Sequence, residues 1–109
     1  MFGMITLDDF KKVEMKVGKV LAAERVDDSE KLLKLRVDIG SEKRQIIAGI
    51  GSYYAPEELM GRNIIVVVNL EPRMLMGLES QGMLLAASCE GEISIIIPDK
   101  DVAPGSIIR

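Results

Sequence analysis

The stretch KLLKLRVDIG, residues 31–40, alternates between apolar and polar side chains more cleanly than any other part of the chain. Successive side chains of a β-strand point to opposite faces, so this period of two predicts a strand with one buried face. The inward set is Leu33, Leu35, Val37 and Ile39, and the outward set is Lys34, Arg36 and Asp38. The outer face of the predicted strand is therefore basic.

The segments around this strand predict further strands separated by turns. They are EMKVGKVLAAERV (14–26), QIIAGIG (45–51), RNIIVVVNL (62–70) and GMLLAASC (82–89). Gly18 in the first of them suggests a bulge or coil in a long bent strand. The tail EISIIIPDKDVAPGSIIR (92–109) adds two short apolar segments around a Pro-Asp turn.

Two short helices are predicted from their start signals. ITLDDFKKV (5–13) has Thr6 as an N-cap and Asp9 three residues later. YYAPEELMG (53–61) has Pro56 in its first turn and Gly61 as its stop.

The order strand, strand, strand, helix, strand, strand predicts an all-β protein with short helices: the five-stranded Greek-key barrel called the OB fold. A small β-sandwich can share this order. The 109 residues are enough for one domain, here 1–109. In an OB fold, the face of the second and third strands and the loops beside it bind oligonucleotides.

Free-standing catalysis is not expected from this sequence. It has no histidine, which removes the commonest general base and zinc ligand. It contains no GxSxG, Walker or CxxC motif. Adjacent carboxylates such as Asp27–Asp28 lie at predicted turns, where solvated surface is the simpler interpretation. We therefore predict no catalytic residue, no metal site and no cofactor.

The charge distribution allows a local basic face. The net charge of −3 argues against a broad electrostatic attraction to nucleic acid. Residues 31–88, however, hold 7 basic and 6 acidic side chains, and the acidic excess lies toward both ends.

The compartment is predicted to be the cytoplasm. No apolar run approaches the roughly 18–20 residues that span a bilayer, so no membrane contact is expected. The first four residues, MFGM, do not begin a signal-peptide pattern. The single cysteine, Cys89, cannot form an internal disulfide, which fits a reducing compartment.

The segment NLEPRMLMGLESQGMLL (69–85) has an unusual composition for a loop between strands. Arg73 can bond to a phosphate through its guanidinium fork. Ser80 and Gln81 can bond to ribose hydroxyls or base edges, and Met83 can lie against a base. The alternative is that the methionines fill the core and that Lys34 and Arg36 are an ordinary solvated face.

Three separated stretches resemble one known family over about residues 6–109. They are DDFKKVEMKVGKVLAAERVDDSEKLLKLRVDIG (8–40), AGIGSYYAPEELMGRNIIVVVNLEPRMLMGLESQGMLLAAS (48–88) and PDKDVAPGSII (98–108). They resemble the tRNA-binding domain family. It includes free-standing structure-specific tRNA-binding proteins, methionyl-tRNA synthetase β subunits and C-terminal domains, and the endothelial monocyte-activating polypeptide group.

The resemblance implies an OB-fold core at about 13–90 and a C-terminal extension at about 91–109. It also implies a homodimer that binds the outer corner of tRNA by shape. It implies tRNA contacts at Lys34, Arg36, Asn69, Arg73, Ser80, Gln81 and Met83. The sequence departs from the family at Met74, where a basic residue is usual, and this weakens the case for a phosphate contact there. Ser80-Gln81-Gly82-Met83 favours the tRNA-binding branch over a secretion-chaperone branch that shares the fold.

The apolar side chains near the C-terminus exceed what a small barrel easily buries, and this predicts an extra packed element or a dimer interface. They are Ile95, Ile96, Ile97, Ile107 and Ile108. The predicted function is that of a non-catalytic tRNA-binding accessory protein, the β subunit or C-terminal module of methionyl-tRNA synthetase. A separate synthetase catalytic chain is then a candidate partner. The alternative is a chaperone-like peptide-binding dimer.

Overall fold

A computed structural model describes residues 3–109; the start of the N-terminal stretch considered above, Met1 and Phe2, lies outside it. Two short helices and nine strands follow one another along these residues. In chain order they are α1 (Leu7–Lys11), β1 (Met15–Arg25), β2 (Leu33–Asp38), β3 (Lys43–Ala48), α2 (Pro56–Leu59), β4 (Asn63–Val67), β5 (Arg73–Leu75), β6 (Leu78–Ser80), β7 (Met83–Leu84), β8 (Ala86–Cys89) and β9 (Glu92–Ile95).

Five antiparallel strands form the main sheet in the order β3-β2-β1-β4-β7. The 11 residues of β1 reach across the sheet, pairing with β4 through Met15–Lys19 and with β2 through Lys19–Arg25. The free edge of β3 contacts the residue pair just before β7: the Gln81 N–H donates to the Gln45 carbonyl at 2.8 Å. This order and curl confirm the predicted OB fold.

The barrel core is built from the inward side chains that the alternation in residues 31–40 predicts. Leu33, Leu35 and Val37 are completely buried, and Lys34 and Arg36 between them point outward. Leu59 of α2 is also buried, so this helix covers part of the core. The basic outer face of β2 therefore follows directly from the burial of its other face.

Gly18 has a different role from the predicted one. The bulge in β1 lies between Val20 and Ala22, not at Gly18. A Cβ on Gly18 would lie 2.5 Å from Val37 Cγ1 and 3.1 Å from Val66 Cγ2. Glycine is needed there because neighbouring strands press their side chains onto the backbone.

Residues 73–80, within the segment that the sequence predicts to be a loop, form a β-hairpin. Arg73 pairs with Ser80 and Leu75 with Leu78. The turn falls at Met76 and Gly77, both with positive φ, 49° and 79°. Two positive φ angles suit a tight hairpin turn, but glycine tolerates them far better than methionine.

The predicted fifth strand at 82–89 is divided in two. Its first part, β7, joins the main sheet beside β4, and its second part, β8, pairs with β9 in a separate hairpin. That hairpin crosses the predicted boundary between core and extension at residue 90. Residues 105–108 then run along β1, with the Gly105 N–H donating to the Val17 carbonyl at 2.7 Å.

Both predicted helices form, and both are capped at their starts. The Thr6 hydroxyl accepts from the Asp9 N–H at 3.0 Å. The Glu58 carboxylate accepts from the Ala55 N–H at 2.9 Å. Helix α1 buries none of its own residues within the chain, which leaves its apolar side chains open to solvent.

Candidate nucleic-acid interface

The outward side chains of β2 lie in the middle of an open, three-stranded surface. Lys34 is paired in register with Glu24 of β1 and Ile47 of β3, and Arg36 with Ala22 and Gln45. The Lys34 ammonium forms an ion pair with Glu24, with 2.7 Å between Nζ and Oε1. Within residues 3–109, Arg36 forms no ion pair. One of the two cations is thus partly neutralised and the other is free.

A shallow hollow of about 270 Å³ opens between these side chains, lined by Ala22, Ala23, Glu24, Lys34, Leu35, Arg36 and Gln45. The floor of the hollow is shallow at the two alanines of β1 because their side chains are short, and the longer side chains of β2 form its rim. Residues two apart on a strand are about 7 Å apart. Lys34 and Arg36 can therefore contact separate phosphates of a ligand lying on this surface.

The β5–β6 hairpin stands beside this strand surface. Its Met76 and Leu78 form a cleft of about 490 Å³ with the β1–β2 connection, and Lys34 lines this cleft as well as the hollow. A smaller hollow of about 40 Å³ at the foot of the hairpin is lined by Ile47, Leu70, Glu71, Arg73, Ser80, Gly82 and Met83. The strand surface and the hairpin are therefore continuous.

Four of the predicted contact residues lie on this combined surface with their side chains available: Lys34, Arg36, Arg73 and Met83. We call the surface that they form the hairpin face. Arg73 is exposed and forms no ion pair among the described residues. Met83 is 46% exposed, and Met74 and Met76 nearby are 65% and 58% exposed. These exposures count against the alternative in which the methionines fill the core.

The other three predicted contact residues are held by hydrogen bonds inside the chain. Asn69 accepts from the Glu14 N–H at 2.9 Å and donates to the Lys12 carbonyl at 2.6 Å. Ser80 is 4% exposed, and its hydroxyl accepts from the Ile47 N–H and donates to the Gly82 carbonyl, both at 3.0 Å. These two side chains fix the ends of the hairpin.

Gln81 is engaged in the same way. Its side-chain oxygen accepts from the Gln45 N–H at 3.0 Å, and its amide nitrogen donates to Glu79 Oε1 at 3.0 Å. Together with Ser80, Gln81 supplies hydrogen-bond acceptors to the backbone N–H groups on the edge of β3, where no neighbouring strand within residues 3–109 provides them.

Two further residues of this region, Arg44 and Gln45, are not predicted from the sequence. Arg44 donates to the carbonyls of Val68 and Gln81, and Gln45 donates to the Glu79 carbonyl at 2.9 Å. They follow the turn into β3 in a run of charged and polar residues. No local pattern distinguishes them from ordinary surface, because their partners lie more than twenty residues away along the chain.

The apolar residues expected at a dimer interface fall into two groups. Ile95 is 6% exposed and packs in the core, so it has no surface to offer a partner. Ile96, Ile97 and Ile107 are 40%, 48% and 65% exposed, and Ile108 is half-buried.

Ile107 and Ile108 also line an apolar groove of about 280 Å³ between α1 and the C-terminal segment. The rest of its lining is Leu7, Phe10, Lys11, Val13, Glu14, Met15, Lys16 and Arg109. This groove is separate from the hairpin face, since no residue lines both.

In the part of the chain from residue 3 onward, no three acidic or cysteine side chains come together to hold a metal ion. Neither helix within that part has the length and apolar character needed to cross a bilayer.

Comparison with known proteins identifies relatives along the whole domain. A methionine–tRNA ligase of Caldanaerobacter subterraneus subsp. tengcongensis is 55% identical over 104 residues, which are 95% of this chain but only 16% of that protein. A solved MetRS related protein from Pyrococcus horikoshii superposes with a TM-score of 0.94 at 42% identity, covering 99% of this chain and all of the other.

A chaperone CsaA from Bacillus anthracis shares the fold with a TM-score of 0.90 at 28% identity, covering 98% of this chain and all of its own. The family model described as a putative tRNA binding domain matches residues 15–107. That match includes the hairpin face and nearly all of the barrel. The chain therefore belongs to the tRNA-binding domain family.

Proposed function

We propose that this chain binds tRNA through the hairpin face. The observation that carries the proposal is the convergence of three cationic side chains and an exposed methionine on the surface that OB folds use for oligonucleotides. Lys34 and Arg36 come from β2, and Arg73 and Met83 from the hairpin and the strand after it. The cations would contact phosphates, and Met83 would lie against a base or ribose.

The ligand that suits this face is a folded RNA rather than an extended single strand. OB folds that hold single strands stack successive bases on aromatic side chains. Of the aromatic side chains within residues 3–109, namely Phe10, Tyr53 and Tyr54, none lines the hairpin face. Contacts to phosphates and ribose read shape with little sequence preference. This supports binding to the outer corner of tRNA, as the family resemblance implies.

The role we propose is that of a non-catalytic module of methionyl-tRNA synthetase, either its β subunit or a C-terminal domain. The chain spans about one sixth of the length of a methionine–tRNA ligase that it matches. Holding tRNA near a separate catalytic chain would raise its local concentration there without any new catalytic group. The single, exposed Cys89 fits the reducing cytoplasm where this reaction would take place.

A homodimer is the assembly that we propose, with the groove between α1 and the C-terminal segment at its interface. Leu7 and Ile107 on its two sides are 66% and 65% exposed. An unpartnered apolar helix beside an apolar groove is the kind of surface that a second copy buries.

The dimer is tested by sedimentation at micromolar concentration. Ile107→Asp should give monomers, because a charge would be placed in the apolar interface. Met60→Asp, at a 50% exposed apolar position outside the groove, should remain dimeric. A wild-type protein that sediments as a monomer would refute the homodimer.

A chaperone-like peptide-binding dimer is the second candidate, supported by the solved CsaA relative and by the apolar groove. A gel shift with bulk tRNA, repeated with excess unfolded peptide, separates the two functions. We expect tRNA to shift the protein and the peptide to leave that complex intact. Binding of the peptide with no shift by tRNA would favour the chaperone.

A further inference from the structure

Arg44 of β3 is one of the side chains that hold the β5–β6 hairpin at its foot, and it reaches the chain on both sides of the hairpin. Its Nη1 group donates to the Val68 carbonyl, and at 3.2 Å to the Gln81 carbonyl. Its Nε donates to Glu42 Oε1 at 2.6 Å. Val68 directly follows β4 and is separated from β5 by residues 69–72, and Gln81 directly follows β6. One guanidinium therefore ties together the two chain segments that flank the hairpin and fixes them to the barrel.

The other contacts that set the orientation of the hairpin also lie at its foot, where Gln45 donates to the Glu79 carbonyl and Ser80 accepts from the Ile47 N–H. Across β5 and β6, Ser80 is the sole buried residue, and it lies next to Gln81 at the same end. The tip at Met76 and Gly77 is exposed. The direction in which the hairpin leaves the barrel is thus determined at its foot, and small changes there become larger displacements at the tip.

Arg44 is poorly placed to serve as a direct RNA contact. Its side chain is 22% exposed, and three of its hydrogen bonds go to partners in the chain. Glu42 beside it offsets its charge. A planar guanidinium offers donors in fixed directions, which the compact ammonium of lysine cannot reproduce. The contacts therefore require an arginine and not merely a positive charge.

We infer that Arg44 is a positioning residue for tRNA binding: it clamps the foot of the hairpin and so holds Arg73 in place on the hairpin face. The inference rests on the proposed function. A hairpin fixed before binding does not have to be ordered by the RNA, and this preorganisation contributes to affinity. Loss of the clamp should weaken binding even when the charge is kept.

The test compares Arg44→Lys with Lys43→Gln, a neighbouring exposed cation on the same strand. Arg44→Lys should weaken tRNA binding about tenfold, the order expected when charge-assisted hydrogen bonds are lost. Its salt dependence should match that of the wild type, because the number of cations is unchanged. Lys43→Gln should change affinity by less than threefold, since Lys43 lines no part of the hairpin face.

Hydrogen exchange gives a second readout at the foot of the hairpin. The Gln81 N–H, bonded to the Gln45 carbonyl, should exchange faster in Arg44→Lys while the melting temperature falls by only a few degrees. Arg44→Ala in an Arg73→Ala background should cost less affinity than in the wild type, because the clamp acts partly through Arg73.

Each outcome decides a separate point. Wild-type affinity in a folded Arg44→Lys would overturn the clamp and leave the proposed function standing. A wild-type protein that binds no tRNA overturns the proposed function, and with it the role of Arg44 in binding. If Arg44→Lys does not fold, Glu42→Ala replaces it. If Arg44 clamps the hairpin, Glu42→Ala should bind tRNA more weakly. Stronger binding is what the loss of an acidic charge alone would cause, and it would overturn the clamp.

Discussion

Replacing Glu24 by glutamine should strengthen tRNA binding, although it destroys an ion pair. Glu24 and Lys34 lie 2.7 Å apart on the hairpin face. A phosphate in contact with the Lys34 ammonium at about 3 Å would come within about 6 Å of the Glu24 carboxylate. At the dielectric constant of water, two like charges at about 6 Å repel by about 0.7 kcal/mol, which corresponds to roughly threefold in affinity. Glutamine has the same shape without the charge.

The effect of Glu24→Gln is measured by titrating tRNA at several salt concentrations, with thermal melts in parallel. The affinity should rise about threefold, and the salt slope should steepen by up to about one as Lys34 becomes free to contact a phosphate. Stability should change little, because exposed ion pairs contribute about 0–1 kcal/mol. The control is Glu57→Gln on helix α2, which lines none of the hollows of the hairpin face. Unchanged or weaker binding by a folded Glu24→Gln would refute the placement of RNA beside Lys34.

Three further substitutions should change tRNA binding or stability in different ways. Arg73→Ala should weaken all tRNAs about equally and lower the salt slope by about one, as for one lost phosphate contact; equal slopes for variant and wild type would contradict this. Met83→Ala should cost about 1–3 kcal/mol of binding at an unchanged salt slope if its side chain lies against a base, and undiminished affinity would exclude that contact. Ser80→Ala should lower the free energy of unfolding by about 1–3 kcal/mol, because the Ile47 N–H loses its acceptor. A melting temperature equal to that of the wild type would show that the buried hydroxyl is dispensable.

The sequence predicts the barrel well because its alternation reports burial directly. The strict period of residues 31–40 places Lys34 and Arg36 outside, and the structure confirms that parity. Helix α1 likewise starts at the predicted Thr6 cap. These patterns are local, so they can be recognised without knowing which strand pairs with which.

The hairpin shows where local patterns stop being informative. Its turn at Met76–Gly77 lacks the Asn-Gly or Asp-Gly pair that signals a tight hairpin turn, so the segment resembles an irregular loop. Ser80 looks like a surface hydroxyl in the sequence. It is buried because the edge of β3, thirty-three residues earlier in the chain, needs an acceptor for the Ile47 N–H. Long-range pairing of this kind leaves no local signal.

The isoleucines predicted to form a dimer interface show that burial, too, is not fully predictable from local sequence. Five isoleucines near the C-terminus look equivalent in the sequence, yet the β8–β9 hairpin turns Ile95 into the core and leaves Ile96 40% exposed. Neighbours on a strand point to opposite faces, but which face meets the core depends on where the hairpin docks.

The location of bound tRNA is measured most directly by NMR of the isotope-labelled wild-type protein during a titration with folded tRNA. If tRNA binds to the hairpin face, the backbone amide signals of Lys34, Arg36, Arg73 and Met83 should shift or broaden first. Signals from Leu7 and Phe10, in the groove between α1 and the C-terminal segment, should stay unchanged. Perturbations confined to that groove, or none at saturating tRNA, would contradict the claim that the hairpin face binds tRNA.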